Sequence, residues 1–195
     1  MELQYIIKGI EIFALFSGLV YIILEVLQKN VMWYFGIATG LACAFQFYCQ
    51  DVWASMGLNI YYVAVSVWGL IQWKRDSQAM EDKSAIHLNH FGMKPALWSL
   101  LAAVIGIPLL NLLLDKLGDP LSLVDSIATV LSAIATVWLA KSYWQQWLVW
   151  VVADVFSATL CFMQGTPWMG VLYIFYTASS CYGIWHWRKY GTYVS

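Results

Sequence analysis

At 195 residues, with 62% hydrophobic and only 11% charged residues and a mean hydropathy of +0.67, the chain departs from the roughly 25% charged composition of soluble domains. That excludes a water-soluble globular fold. A formal net charge of −1 carries no basic footprint for nucleic acid.

The first apolar run, residues 5–27, contains Glu11 and Glu25 and lacks a basic start and a small-residue cleavage site, so it reads as a retained helix rather than a signal peptide. Further runs follow at 31–49 and 52–73. The polar stretch from Lys74 to Lys94 reads as a solvated cytoplasmic connection. Four more runs lie at 95–114, 120–140, 146–163 and 168–187. Each is long enough to cross a hydrocarbon core of about 30 Å.

Seven crossings put Lys29, Lys74, Arg75, Lys83, Lys94, Lys141, Arg188 and Lys189 on one side and leave Lys8 and Lys116 opposite. The positive-inside rule then sets the N-terminus outside and the C-terminus in the cytoplasm. An even number of crossings would scatter the same charges. Cys43, Cys49, Cys161 and Cys181 have no metal-type spacing and read as small buried hydrophobes. His87 and His90 lack further ligands for a metal, and no cofactor motif is present.

The sixth run is the most informative. Trp147, Trp150 and Asp154 stand at i, i+3 and i+7, on one helical face. An aspartate at mid-membrane costs about 2.5–3.5 kcal/mol on insertion scales, which argues for a polar cavity. Two indoles beside a carboxylate suit a small, flat, cationic or hydrogen-bond-donating solute.

Shifting the chain by 114 residues brings Trp33 onto Trp147, Gln50 onto Gln164, Tyr62 onto Tyr176, Ala64 onto Ala178, Ser66 onto Ser180, Gly69 onto Gly183 and Trp73 onto Trp187. The same offset sets Lys74-Arg75 on Arg188-Lys189 and Glu11 on Asp125. A duplication follows: residues 1–75 form one triple-helix unit and 119–195 a second, with the loop and an inversion helix in 76–118. This is the 3+1+3 parallel-repeat plan of SWEET-type transporters, which bind substrate near the membrane midplane between the repeats and are compatible with a homotrimer.

Ser66-Val-Trp-Gly-Leu-Ile-Gln-Trp73-Lys-Arg, Val124-Asp125-Ser126 with Thr129, and above all Gln146-Trp147-Leu-Val-Trp150-Val-Val-Ala-Asp154 resemble the PnuC family of bacterial vitamin transporters. The resemblance spans nearly the whole chain. It implies a multi-pass inner-membrane protein that takes up nicotinamide riboside, or thiamine in close relatives, by facilitated diffusion, with a cytoplasmic kinase trapping the product. The absence of a phosphate-loop motif agrees with passive transport.

The expected site has Trp147 and Trp150 as stacking walls and Asp154 as anchor. Asn59, Tyr62 and Ser66 follow one stripe of the third span, and Tyr173, Tyr176 and Ser180 one stripe of the seventh; all six supply hydrogen bonds or helix packing, with Gln46 an outlying candidate. Glu11 and Asp125 are candidate pore-mouth acids. Trp73 and Trp187, each followed by a basic pair, read as an interfacial aromatic belt, and Glu25 as an interfacial acid. Gly69 and Gly183 read as sites of close helix approach. Two rival classes remain. An intramembrane enzyme would need a nucleophile elbow or zinc helix that the chain lacks, and a scaffold would not need an acid flanked by tryptophans.

Overall fold

The computed structural model describes residues 2–49, 53–80, 82, 85–165 and 167–194. Seven helices follow one another: α1 (Glu2–Val26), α2 (Val31–Cys49), α3 (Trp53–Ala79), α4 (Met93–Lys116), α5 (Ser122–Ala140), α6 (Gln146–Met163) and α7 (Pro167–Tyr190). Strands β1 (Ile86–Leu88) and β2 (Gly191–Tyr193) form a two-stranded sheet. Among the described residues α2, α4, α5 and α6 are long and apolar enough to cross a bilayer. The chain is an all-α membrane protein.

The helices begin and end close to the apolar runs, with one clear excess: α3 continues beyond Trp73 to Ala79. There Gln72 Nε2 donates to Asp76 Oδ1 at 2.9 Å, one turn further on, and the intervening lysine and arginine are good helix formers. The membrane boundary therefore does not end the helix.

Two compact units divide the chain, residues 1–86 and 87–194. In the first, α2 packs against both α1 and α3; in the second, α6 packs against both α5 and α7, and α4 packs on α5. The end of α1 in the first unit and the end of α5 in the second carry the same cap. Gln28 (φ 47°) donates its N–H to Glu25 O, while Lys29 N–H reaches Leu24 O. Ser142 (φ 54°), 114 residues on, donates to Leu139 O, while Tyr143 N–H reaches Trp138 O. These paired bonds around a left-handed residue satisfy the orphan carbonyls at a helix end. Gly118 (φ 85°) ends α4 in the same way, through bonds to Asp115 O and from Asp119 N–H to Leu114 O. Only glycine adopts that conformation without a steric cost of roughly 1–2 kcal/mol.

A Trp–Gly–Trp stack holds α2 to α3 and, separately, α6 to α7. Trp33 lies on Gly69, where an added Cβ would fall 2.5 Å from its ring, and makes an edge contact with Trp73 at 5.0 Å between centroids. Trp147 lies on Gly183 with the same 2.5 Å exclusion and meets Trp187 at 5.5 Å. All four indoles are 0% exposed. Burial from lipid brings no hydrophobic gain, so close packing over a small residue carries the association. The Nε1 groups of Trp33 and Trp147 have no hydrogen-bond partner among the described residues, which makes shape the organising term.

Three expectations are corrected here. Trp73 and Trp187 are not an interfacial belt, because a fully enclosed indole touches neither lipid nor headgroup. The exposed aromatic-basic contact at that helix end is Lys189, whose Nζ lies 4.8 Å from the Trp185 ring centroid. Glu25, next to the end of α1, is 2% exposed and so enclosed by protein rather than open to headgroups. The second half of the loop is docked rather than solvated: His87 and Leu88 are buried, Asn89 Nδ2 donates to Lys141 O at 3.0 Å, and His90 stacks on Tyr193 at 4.3 Å.

Candidate functional site

Two turns from the start of α6, past the Trp147 stack, Asp154 is 5% exposed. The Ser180 hydroxyl of α7 faces its carboxyl, but closes no hydrogen bond among the described residues and is itself 1% exposed. Tyr173 and Tyr176, one turn apart on α7, are close enough to Asp154 to feel its charge, and their rings meet edge to face at 5.9 Å. Tyr173 also lies near Cys161 and Asp125, which brings α5, α6 and α7 to one cluster.

No lysine or arginine occurs in α5, in α6, or in α7 before its last turn. The helices that form this cluster thus supply no basic side chain at the depth of the carboxylate. A buried anion without a cation is costly, so the arrangement favours a ligand that brings positive charge or N–H and O–H donors. Trp150 is half-buried, with an Nε1 that has no partner among the described residues. An indole N–H and a serine hydroxyl without a partner among the described residues thus accompany one carboxylate and two tyrosines.

Trp147 does not belong to that set as an open wall. Its ring rests on Gly183 and is closed off by Trp187, leaving no exposed surface. Of the two indoles expected as walls, Trp147 is closed off by protein in this structure, whereas Trp150 keeps part of its surface exposed.

In the first unit the corresponding residues pack inward. A Cβ on Gly36 would fall 2.8 Å from Ser66 Oγ and 3.2 Å from Tyr21 Cε2, so α1 and α3 close over α2 at that point. Gly40 is covered by Val63 and the Asn59 carbonyl, and Tyr62 lies near Tyr21. Ser17 and Thr39 share a hydrogen bond of 2.7 Å. Gln46 is buried on α2. Asp125 accepts from Thr129 Oγ1 at 3.2 Å and sits in the first turn of α5, where the helix dipole favours an acid. The side chain of Glu11 lies outside the described residues.

Tyr21 and Cys161 were not anticipated. A full overlay of the two units by residue number would have exposed Tyr21, whose counterpart is the small Ala135, and would have set Gly36 against Trp150 and Gly40 against Asp154.

The nicotinamide mononucleotide transporter family model matches residues 8–189 of the chain. The nicotinamide riboside transporter PnuC of Escherichia coli K12 is 24% identical over 198 residues, covering 89% of this chain and 82% of that protein. The protein of the same name from Neisseria mucosa is 25% identical, covering 90% of this chain and 70% of the relative. A crystal structure of the vitamin B3 transporter PnuC superposes with a TM-score of 0.69 at 21% identity, over 96% of this chain and 88% of the other.

Proposed function

Because this chain belongs to the nicotinamide mononucleotide transporter family, we propose that it is a bacterial inner-membrane carrier that takes up nicotinamide riboside. The riboside moves down its own gradient and is trapped by phosphorylation in the cytoplasm. The observation that carries this reading is Asp154, buried one turn from Trp150 and facing Ser180, with no lysine or arginine in α5, α6 or α7 before its last turn. The nicotinamide ring of the riboside is a permanent cation, and its carboxamide and ribose supply donors. Trp150 offers a face for the ring, and Asp154 complements its charge. Tyr173, Tyr176 and Ser180 serve the sugar hydroxyls.

The family's title names the mononucleotide, whereas the relatives are named for the riboside. The residues favour the riboside. A phosphate needs guanidinium or ammonium donors, and α5, α6 and most of α7 hold none, while Asp154 would repel it. Thiamine is the second reading, since it too is a ring cation and its aminopyrimidine would donate to Asp154.

The proposed arrangement is seven crossings in a 3+1+3 plan with the C-terminus cytoplasmic. The recurrence of cap and tryptophan stack at an offset of 114 supports the repeat, and the placement of basic residues supports the orientation. A homotrimer is compatible with that plan. Calorimetric titration of the purified protein with nicotinamide riboside, thiamine and nicotinamide mononucleotide tests the reading. Saturable binding of the riboside, with none of the mononucleotide, is expected; tighter binding of the mononucleotide would overturn it.

A further inference from the structure

Ala135 of α5 is buried at 0% exposure, and α5 packs against α6. Its counterpart in the first unit is Tyr21, whose ring fills the space above Gly36. The counterpart of Gly36 is Trp150. The first unit sets tyrosine on its first helix over glycine on its second, and at the equivalent positions of the second unit the bulk is exchanged, alanine on α5 and tryptophan on α6. Interiors pack to nearly constant density, so a large residue on one side of such a contact requires a small one opposite.

We infer that Ala135 is the positioning residue for Trp150, its single methyl leaving the volume from which the indole reaches the ligand. The inference rests on the proposed site, in which Trp150 stacks on the substrate ring. Trp150 is only half-buried and its Nε1 is unpartnered among the described residues, so packing alone does not fix the indole. The shape of α5 beside it then decides its rotamer. A larger residue at 135 would fill the place where the indole rests, as Tyr21 fills it in the first unit.

Four variants in detergent test this: Ala135→Tyr, Ala135→Ser, Trp150→Phe and the double variant Ala135→Tyr with Trp150→Gly, which copies the first unit's pair. Affinity for nicotinamide riboside and melting temperature are read for each. Ala135→Ser is expected to keep the wild-type affinity, and Ala135→Tyr to lose about tenfold or more. The double variant is expected to melt roughly 2–4 °C or more above Ala135→Tyr, because the exchanged bulk packs again, while binding stays lost. Wild-type affinity in Ala135→Tyr, or a double variant no more stable than Ala135→Tyr, would overturn the inference. The stability coupling keeps it testable if Ala135→Tyr folds poorly. Trp150→Phe separates the two levels: affinity unchanged there overturns the site itself, whereas affinity lost there and kept in Ala135→Tyr overturns only the role of Ala135.

Discussion

The first and second units are built on the same stack, Trp33–Gly69–Trp73 in one and Trp147–Gly183–Trp187 in the other. One turn above each stack they part: the first has Gly36 and Gly40 where the second has Trp150 and Asp154. In the first unit those glycines let α1 and α3 close on α2, with Tyr21, Ser66, Val63 and the Asn59 carbonyl in contact. In the second, the same helix carries a buried acid and an indole whose Nε1 has no partner among the described residues. The same tryptophan stack thus recurs in both units, while the acid and the indole one turn above it occur only in the second.

The shared half of the comparison breaks most severely at the glycines. Gly69→Ala and Gly183→Ala each set a Cβ 2.5 Å from an enclosed indole ring, and overpacking of that kind costs about 1–3 kcal/mol or more. Both variants are expected to lower the melting temperature alike. A large loss for one and none for the other would show that the two stacks are not equivalent.

The unshared half is sharpened by Tyr62 and Tyr176, which occupy the same position in the two units. Tyr176→Phe is expected to weaken riboside binding about threefold to tenfold, the worth of a hydrogen bond of roughly 0.5–1.5 kcal/mol. Tyr62→Phe is expected to leave affinity unchanged. Equal losses in calorimetry would bring the first unit into the site.

A smaller effect is expected at Thr39, whose hydroxyl bonds Ser17. Thr39→Ala removes an interhelical hydrogen bond of about 0.6 kcal/mol in a membrane setting, so stability falls slightly and binding holds. An affinity loss in that variant would contradict a purely structural first unit. At the cap the expected effect has the opposite sign. Ser142→Gly relieves a left-handed residue whose buried hydroxyl has no partner among the described residues, and is expected to be neutral to stabilising by about 1 kcal/mol. Gln28→Gly gives up a larger buried side chain and is expected to gain less. Thermal denaturation in a single detergent compares the two.

Much of this was legible in the residues, because lipid imposes a strong length rule and a duplication repeats its own signals. The helix positions followed from apolar runs, and Asp154 stood out because a buried acid is costly in lipid. Two kinds of information were not legible. Trp147 and Trp150 share a helical face, but whether an indole faces a cavity or a glycine depends on the neighbouring helix, and Gly183 lies 36 residues further on. Trp73 and Trp187 carry the local signature of an interfacial anchor, which their burial against a second indole overrides. His87 looked solvated because its loop is polar; pairing of β1 with β2 is a long-range event that local composition does not announce.

On the proposed function, the second unit carries the ligand anchor on α6. Calorimetric titration of nicotinamide riboside into wild-type protein and Asp154→Ala, both checked for the same melting behaviour, tests it most directly. Affinity about tenfold weaker or worse in the variant is the expected result, in keeping with loss of a charge-assisted contact of roughly 1.5–3 kcal/mol. Undiminished affinity in a folded Asp154→Ala protein would contradict it, and would return Asp154 to the packing of α6 on α7.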